Sequence, residues 1–173
     1  MAVNDTRETP HAFFADLDAK YHFDLDACAT HSNAKCPLYF TVDGHWAAPV
    51  ANGIRVPGEA MFLGGADGLS GSWEGRNVWA NVPYSDIATW IRKAWASRAA
   101  KVVMLLPADR FDQAFWHELV EPYREQAADY GHRLPHGWDN FTTQFVKGRL
   151  RFLKDGKTLG SPRFGSVLLI WQR

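Results

Sequence analysis

Apolar side chains at Phe13, Phe14, Leu17 and Tyr21 recur at helical spacing, which predicts an amphipathic helix over residues 10–20. Thr9-Pro10 ahead of it reads as an N-cap followed by proline at the first helical position. Phe23-Asp24-Leu25-Asp26-Ala27-Cys28 alternates and predicts a short strand, as does Asn77-Val78-Trp79-Ala80. The latter runs into Asn81-Val82-Pro83-Tyr84-Ser85, where Ser85 is placed to cap a helix carrying Ile87, Trp90, Ile91 and Trp95. Lys101 to Pro107 is a continuous apolar run ended by proline, as in a strand covered on both faces. Residues 111–128 predict a further helix, and 129–141, polar with Gly and Pro, a loop. Phe145–Leu153 and Gly165–Trp171 predict two closing strands, joined by a turn region from Lys154 to Pro162. Residues 43–66 are rich in Gly, Pro and Ala without a period and read as an excursion from the fold.

Helices alternate with strands before the chain closes on a strand pair. That order predicts an α/β sandwich around a mostly parallel sheet. Ligands in such folds sit at the carboxyl ends of the strands. The unusual residues fall there: Asp26-Ala27-Cys28, Asn81-Val82-Pro83-Tyr84 and Pro107-Ala108-Asp109. The tryptophans at 73, 79, 90 and 95 are expected to pack the core.

Composition narrows this picture. The 173 residues are 46% hydrophobic and 22% charged, which suits one globular domain and excludes a disordered chain. No apolar run approaches a membrane span. Met1 to Thr6 lacks the basic-then-apolar layout of a signal peptide, so a cytoplasmic protein is expected. Two cysteines are too few for a disulfide framework. Cys28 and Cys36, with His22 and His31, match no common zinc spacing, so no metal is expected. The zero net charge conceals a polarity. Residues 1–90 carry an acidic excess, whereas residues 140–173 carry Lys147, Arg149, Arg151, Lys154, Lys157, Arg163 and Arg173 against Asp155 alone. A basic end of this kind suits a polyanion, or complements the acidic half within the fold.

The segment Asn81-Val82-Pro83-Tyr84 carries the chemistry. An exocyclic amine on an aromatic ring is a poor nucleophile, because its lone pair is delocalised. Two acceptors that take both N–H hydrogens favour a pyramidal nitrogen and free that pair. The Asn81 carboxamide oxygen and the Val82 main-chain carbonyl, restricted by Pro83, suit this task. Tyr84 offers a face on which a flat ring stacks.

The segment resembles the Asn/Asp-Pro-Pro-Tyr motif of amino-group DNA methyltransferases. The wider pattern is similar to the small phage-type DNA N6-adenine methyltransferases. The matching pieces, in the family's order, are Thr9-Pro10, Phe23 to Thr30, Asn33-Ala34-Lys35-Cys36-Pro37, Tyr39-Phe40-Thr41, Asp67-Gly68-Leu69 with Trp73, the Asn81 motif, Val102 to Ala108, and Lys147 to Phe152. They cover most of the chain. Residues 43–66 and 129–141 look like insertions into a single domain spanning 1–173. Val82 departs from the motif's proline; it keeps the carbonyl and loses the ring's rigidity.

The resemblance implies a Rossmann-like methyltransferase sandwich, with an antiparallel C-terminal strand pair, and S-adenosylmethionine as methyl donor. It implies that Asp26, Ala27 and Cys28 lie where the first strand meets the cofactor. Thr9 and Pro10 would flank the methionine end, with Asp67 and Leu69 near the adenine of the cofactor. The partner would be double-stranded DNA with an adenine flipped onto Tyr84. Lys147, Arg149 and Arg151 would meet phosphates, with both guanidinium groups on one strand face. Phe152 or Phe164 would form the second wall of the base pocket. Transfer would be direct, without a metal or a covalent enzyme intermediate, in a bacterial cell and from a phage or prophage gene. A non-catalytic binding protein of this fold, or methylation of cytosine N4 or glutamine, are the competing readings.

Overall fold

The structure is a computed structural model that describes residues 7–41, 61–62, 67–124 and 134–173. The strands are β1 (Leu25–Ala29), β2 (Leu38–Thr41), β3 (Met61–Phe62), β4 (Asn77–Asn81), β5 (Lys101–Pro107), β6 (Asn140–Phe145), β7 (Leu153–Lys154), β8 (Lys157–Thr158) and β9 (Ser166–Gln172). The helices are α1 (His11–Tyr21), α2 (Ile87–Ala96), α3 (Ala114–Leu119) and α4 (Glu121–Arg124). Seven strands form one sheet in the order β3-β2-β1-β4-β5-β9-β6, and β7 and β8 form a separate hairpin. Neighbours from β3 to β5 pair in parallel. β9 lies antiparallel between β5 and β6. The expected α/β sandwich, mostly parallel with an antiparallel C-terminal pair, is therefore present.

The continuous run of β5 serves two cores. Val102, Met104 and Leu106 face one side, with Val78, Ala80, Val167, Leu169 and Trp171, and meet Trp90, Ile91 and Trp95 of α2. Val103 and Leu105 face the other, with Trp79, Leu168 and Ile170, and meet Phe14, Leu17 and Tyr21 of α1. A strand with helices on both faces has no polar side to alternate with, which explains the unbroken apolar stretch. The four tryptophans expected in the core are buried.

Several boundaries differ from expectation. Thr9 does not cap α1. Pro10 itself takes the N-cap position with ψ 138°, and no side chain caps the helix. At α2 the N-cap is Asp86 rather than Ser85, because Pro83 to Asp86 closes a turn first, with the Asp86 N–H donating to the Pro83 carbonyl. The single helix expected over 111–128 is two short ones, broken at Val120 (φ −120°, ψ −62°). Pro122 has no N–H for a continuous helix and explains the break; residues 125–128 lie outside the described residues.

The loop expected over 129–141 gives way, within its described part, to a 3-10 turn at Pro135–Gly137 and to β6 from Asn140. The strand expected over Phe145–Leu153 is absent: β6 ends at Phe145, and 146–152 are irregular, with Gly148 at φ +78°. Arg149 and Arg151 therefore share no strand face. The expected insertion at 43–66 lies outside the described residues except for Met61 and Phe62 of β3.

Parallel pairing brings the carboxyl ends of β1, β4 and β5 to one edge. The strand order reverses between β1 and β4, and such a switch point opens a ligand crevice.

Candidate active site

Asn81 is the last residue of β4, opposite Leu105 of β5. The Val82, Pro83 and Tyr84 that follow are buried. Asn81 Nδ2 donates to the Arg7 main-chain carbonyl at 2.7 Å. A carbonyl only accepts, so this bond identifies the two ends of the amide: nitrogen toward Arg7, Oδ1 away from it.

The Tyr84 ring meets Phe164 edge to face, with centroids 6.0 Å apart. Tyr84 is 6% exposed, and its hydroxyl has no hydrogen-bond partner among the described residues. Burial pushes the phenol well above its ordinary range; nearby Arg7 opposes the shift and Asp109 adds to it. The Arg7 guanidinium lies 5.2 Å from the Phe164 ring centroid and 5.6 Å from that of Phe152. Sequence reasoning thus placed Asn81, Tyr84 and Phe164 in one neighbourhood and overlooked Arg7, whose main-chain contact leaves no trace in a residue pattern. Phe152 is fully buried in the α1-side core, and of the two candidate rings Phe164 is the one that meets Tyr84.

A second group assembles at β1. Asp26, 3% exposed, accepts from the Cys28 N–H at 3.2 Å through Oδ1 and from the Lys35 N–H at 3.0 Å through Oδ2. Burial raises its carboxyl to about 6, and the two backbone bonds pull against that rise. Its side chain thus ties β1 to the segment ahead of β2. Ala27 is fully buried and Cys28 partly so.

The Asp67–Ser70 turn lies directly on this strand. A Cβ at Gly68 would overlap the Ala27 carbonyl oxygen and stand 2.9 Å from Trp90, so only glycine permits the approach. Asp67 Oδ1 accepts from the Ser70 N–H at 2.7 Å and its hydroxyl at 2.8 Å. The Ser70 backbone bond is the main reason its carboxyl sits below its ordinary value. The Trp73 indole N–H donates to the Gly68 carbonyl at 2.9 Å, and Leu69 packs on the α2-side core. The structure therefore brings Asp26, Ala27 and Cys28 together with Asp67 and Leu69. Gly68 is the residue that makes this contact, and its signal was the glycine between two singled-out positions.

Thr9 and Pro10 stand between Arg7 and α1. Thr9 is 1% exposed, yet its Oγ1 has no partner among the described residues. A buried hydroxyl without a partner is costly unless a ligand completes it.

Lys147, Arg149 and Arg151 are exposed in the irregular link from β6 to β7, with Leu150 tucked against the α1-side core. β6 runs parallel to β5 through their shared antiparallel neighbour, so this link leaves from the edge that holds Asn81. Phe111 and Phe145, beyond the carboxyl end of β5 and at that of β6, are 59% and 56% exposed. Among the described residues no His, Cys, Asp or Glu group could hold a metal ion, and no helix is long and apolar enough to cross a membrane.

A family model described as DNA N-6-adenine-methyltransferase (Dam) matches residues 1–47 and 61–173. The stretch it passes over lies inside 43–66, whereas 129–141 lies within the match. No curated protein matches the chain.

Proposed function

The chain belongs to the DNA N-6-adenine-methyltransferase family and is a DNA adenine-N6 methyltransferase; from that premise we propose that it uses S-adenosylmethionine and acts on an adenine turned out of duplex DNA. The observation that carries the reading is Asn81 at the switch point, its amide nitrogen already engaged and its oxygen left to accept.

The residues at β1 suit the donor. The Thr9 hydroxyl is a buried polar group awaiting a partner. The Gly68 turn is a close backbone approach that a side chain would fill. Thr9 and Pro10 would flank the methionine end, Ala27 and Cys28 the strand terminus, and Asp67 and Leu69 the adenine end. Asp26, bonded to two backbone N–H groups, shapes this wall from within. S-adenosylmethionine, when bound, supplies an electrophilic methyl group on a sulfonium centre.

The chain's own work is positioning. Tyr84 offers the aromatic surface on which the flat base stacks, and Phe164 braces that ring edge-on. Asn81 Oδ1 and the Val82 carbonyl accept the two amine hydrogens and direct the nitrogen lone pair toward the methyl group. The buried surroundings exclude water and strengthen both bonds. Once the nitrogen has acquired the methyl group, its surplus proton passes to bulk water as the base leaves the pocket. Lys147, Arg149 and Arg151 meet DNA phosphates, which fixes the duplex without reading sequence.

Incubation of duplex DNA with methyl-labelled S-adenosylmethionine, followed by nucleoside digestion, is expected to give N6-methyladenine. Asn81→Ala should lower kcat about 10²–10³-fold, as for loss of one preorganised polar contact, while S-adenosylhomocysteine still binds. Label in cytosine or in protein would refute the substrate, and full activity of Asn81→Ala would refute the assigned role.

A further inference from the structure

The two ends of a carboxamide are nearly identical in shape and opposite in polarity. Which end of Asn81 faces the base therefore decides whether it accepts from an amine or repels it. Nothing on β4 settles the choice; the partner that does so lies 74 positions away, at Arg7. We infer that the Arg7–Thr9 segment is a positioning strap: its Arg7 carbonyl oxygen holds Nδ2 and so presents Oδ1 to the substrate. The inference rests on the reading above, in which Asn81 accepts from the exocyclic amine.

The strap is held independently of Asn81. The Glu8 N–H donates to the Leu153 carbonyl at 2.8 Å, and the Leu153 N–H returns a bond to the Glu8 carbonyl at 2.9 Å. Glu8 Oε1 accepts from the Asp155 N–H at 3.0 Å. The Arg7 guanidinium rests over Phe164 and Phe152, and Thr9 is buried on the other side. The carbonyl is thus fixed from both directions along the chain. Rotation of the carboxamide by half a turn would set Oδ1 against the Arg7 oxygen, two acceptors with no hydrogen between them. A side chain at position 81 must therefore offer a hydrogen to the strap and an acceptor to the base at once. Asparagine meets both demands at any pH; a carboxyl group meets them only when protonated.

The test uses the full chain as wild type, Asn81→Asp and Glu8→Pro. Glu8→Pro deletes one N–H of the bridge to Leu153 together with the Oε1 bond to Asp155, and leaves the Asn81 side chain and the basic residues unchanged. In Asn81→Asp, turnover at saturating DNA should rise as pH falls through the range in which the introduced carboxyl takes up its proton, a trend absent from wild type. S-adenosylhomocysteine affinity should stay within about twofold of wild type. In Glu8→Pro, kcat should fall at least about tenfold at unchanged KM for DNA. The 15N-labelled side-chain amide of Asn81 should exchange with water faster in this variant than in wild type.

Equal exchange rates in wild type and Glu8→Pro would overturn the inference. So would a folded Asn81→Asp variant that follows the wild-type pH profile or is inactive at every pH. Should wild type transfer no methyl group to DNA, the functional reading fails, while the exchange measurement still decides whether the strap orients the amide.

Discussion

Replacing Gly68 by alanine tests whether the Asp67–Ser70 turn belongs to the cofactor wall. The added methyl would overlap the Ala27 carbonyl oxygen and press on Trp90 at 2.9 Å. The first obstacle is backbone of β1, which is paired on both sides, so no side-chain rotation relieves it. The turn must instead lift from the strand, which strains the Trp73–Gly68 bond at 2.9 Å and moves Asp67. Overpacking of this kind costs about 1–3 kcal/mol, and the backbone obstacle puts Gly68 near the top of that range. For a chain of this length about 3 kcal/mol lowers Tm by about 6–12 °C. Displacement of Asp67 and Leu69 should also weaken S-adenosylhomocysteine at least about tenfold.

Gly75→Ala is the control. Gly75 has φ +71° and open space around its Cβ position. Alanine there costs about 1–2 kcal/mol from the left-handed backbone alone and should leave cofactor affinity unchanged. Calorimetric titration and thermal melts of both variants suffice. A Gly68→Ala protein with wild-type affinity would remove the turn from the cofactor site, whatever its Tm.

Three further outcomes are expected. The Asp26 carboxyl, raised from 3.8 to about 6, takes up its proton more readily in the folded chain, so its stabilising contribution is full below about 3.8 and lost as pH rises through about 6. The shift of about two units corresponds to about 3 kcal/mol; Asp26→Asn should flatten urea midpoints between pH 4 and 7, and an unchanged slope would refute the attribution. Tyr84→Phe removes a hydroxyl with no partner among the described residues, so stability should hold or rise, by no more than about 1–3 kcal/mol, and turnover should persist, whereas Tyr84→Ala should lose it. Arg149→Ala with Arg151→Ala should reduce the slope of log affinity for DNA against log salt by about 0.9 per charge removed, and Arg98→Ala, which removes the partner of Glu74 in an ion pair beyond α2, should leave it unchanged.

The two-sided burial of β5 and the periodic face of α2 were legible because each is a local pattern. The strand that carries Asp26 and the strand end that carries Asn81 were legible for the same reason, although β1 runs on to Ala29 and leaves Asp26 near its start rather than at its carboxyl end. β6 was not, since an edge strand reading Asn-Phe-Thr-Thr-Gln-Phe buries only Phe141 and looks like a polar loop. The irregular path of Lys147 to Phe152 was hidden by the alternation of exposed Arg149 and Arg151 with more buried Leu150 and Phe152, which mimics a strand. Pro122 did announce the helix break, and the apolar positions around it obscured that signal. The contact of Arg7 with Asn81 joins a main-chain atom to a distant side chain, and such a bond has no compositional signature.

β9 has a consequence for synthesis. It fills the place between β5 and β6, yet it is drawn from residues 166–172, later in the chain than every other strand. Until the ribosome has delivered it, the apolar flank of β5 stands as an open edge, a template for adhesion between nascent chains. The strap bridge likewise waits for Leu153. A prematurely terminated product therefore lacks both the sheet's closing member and the bridge that holds Glu8.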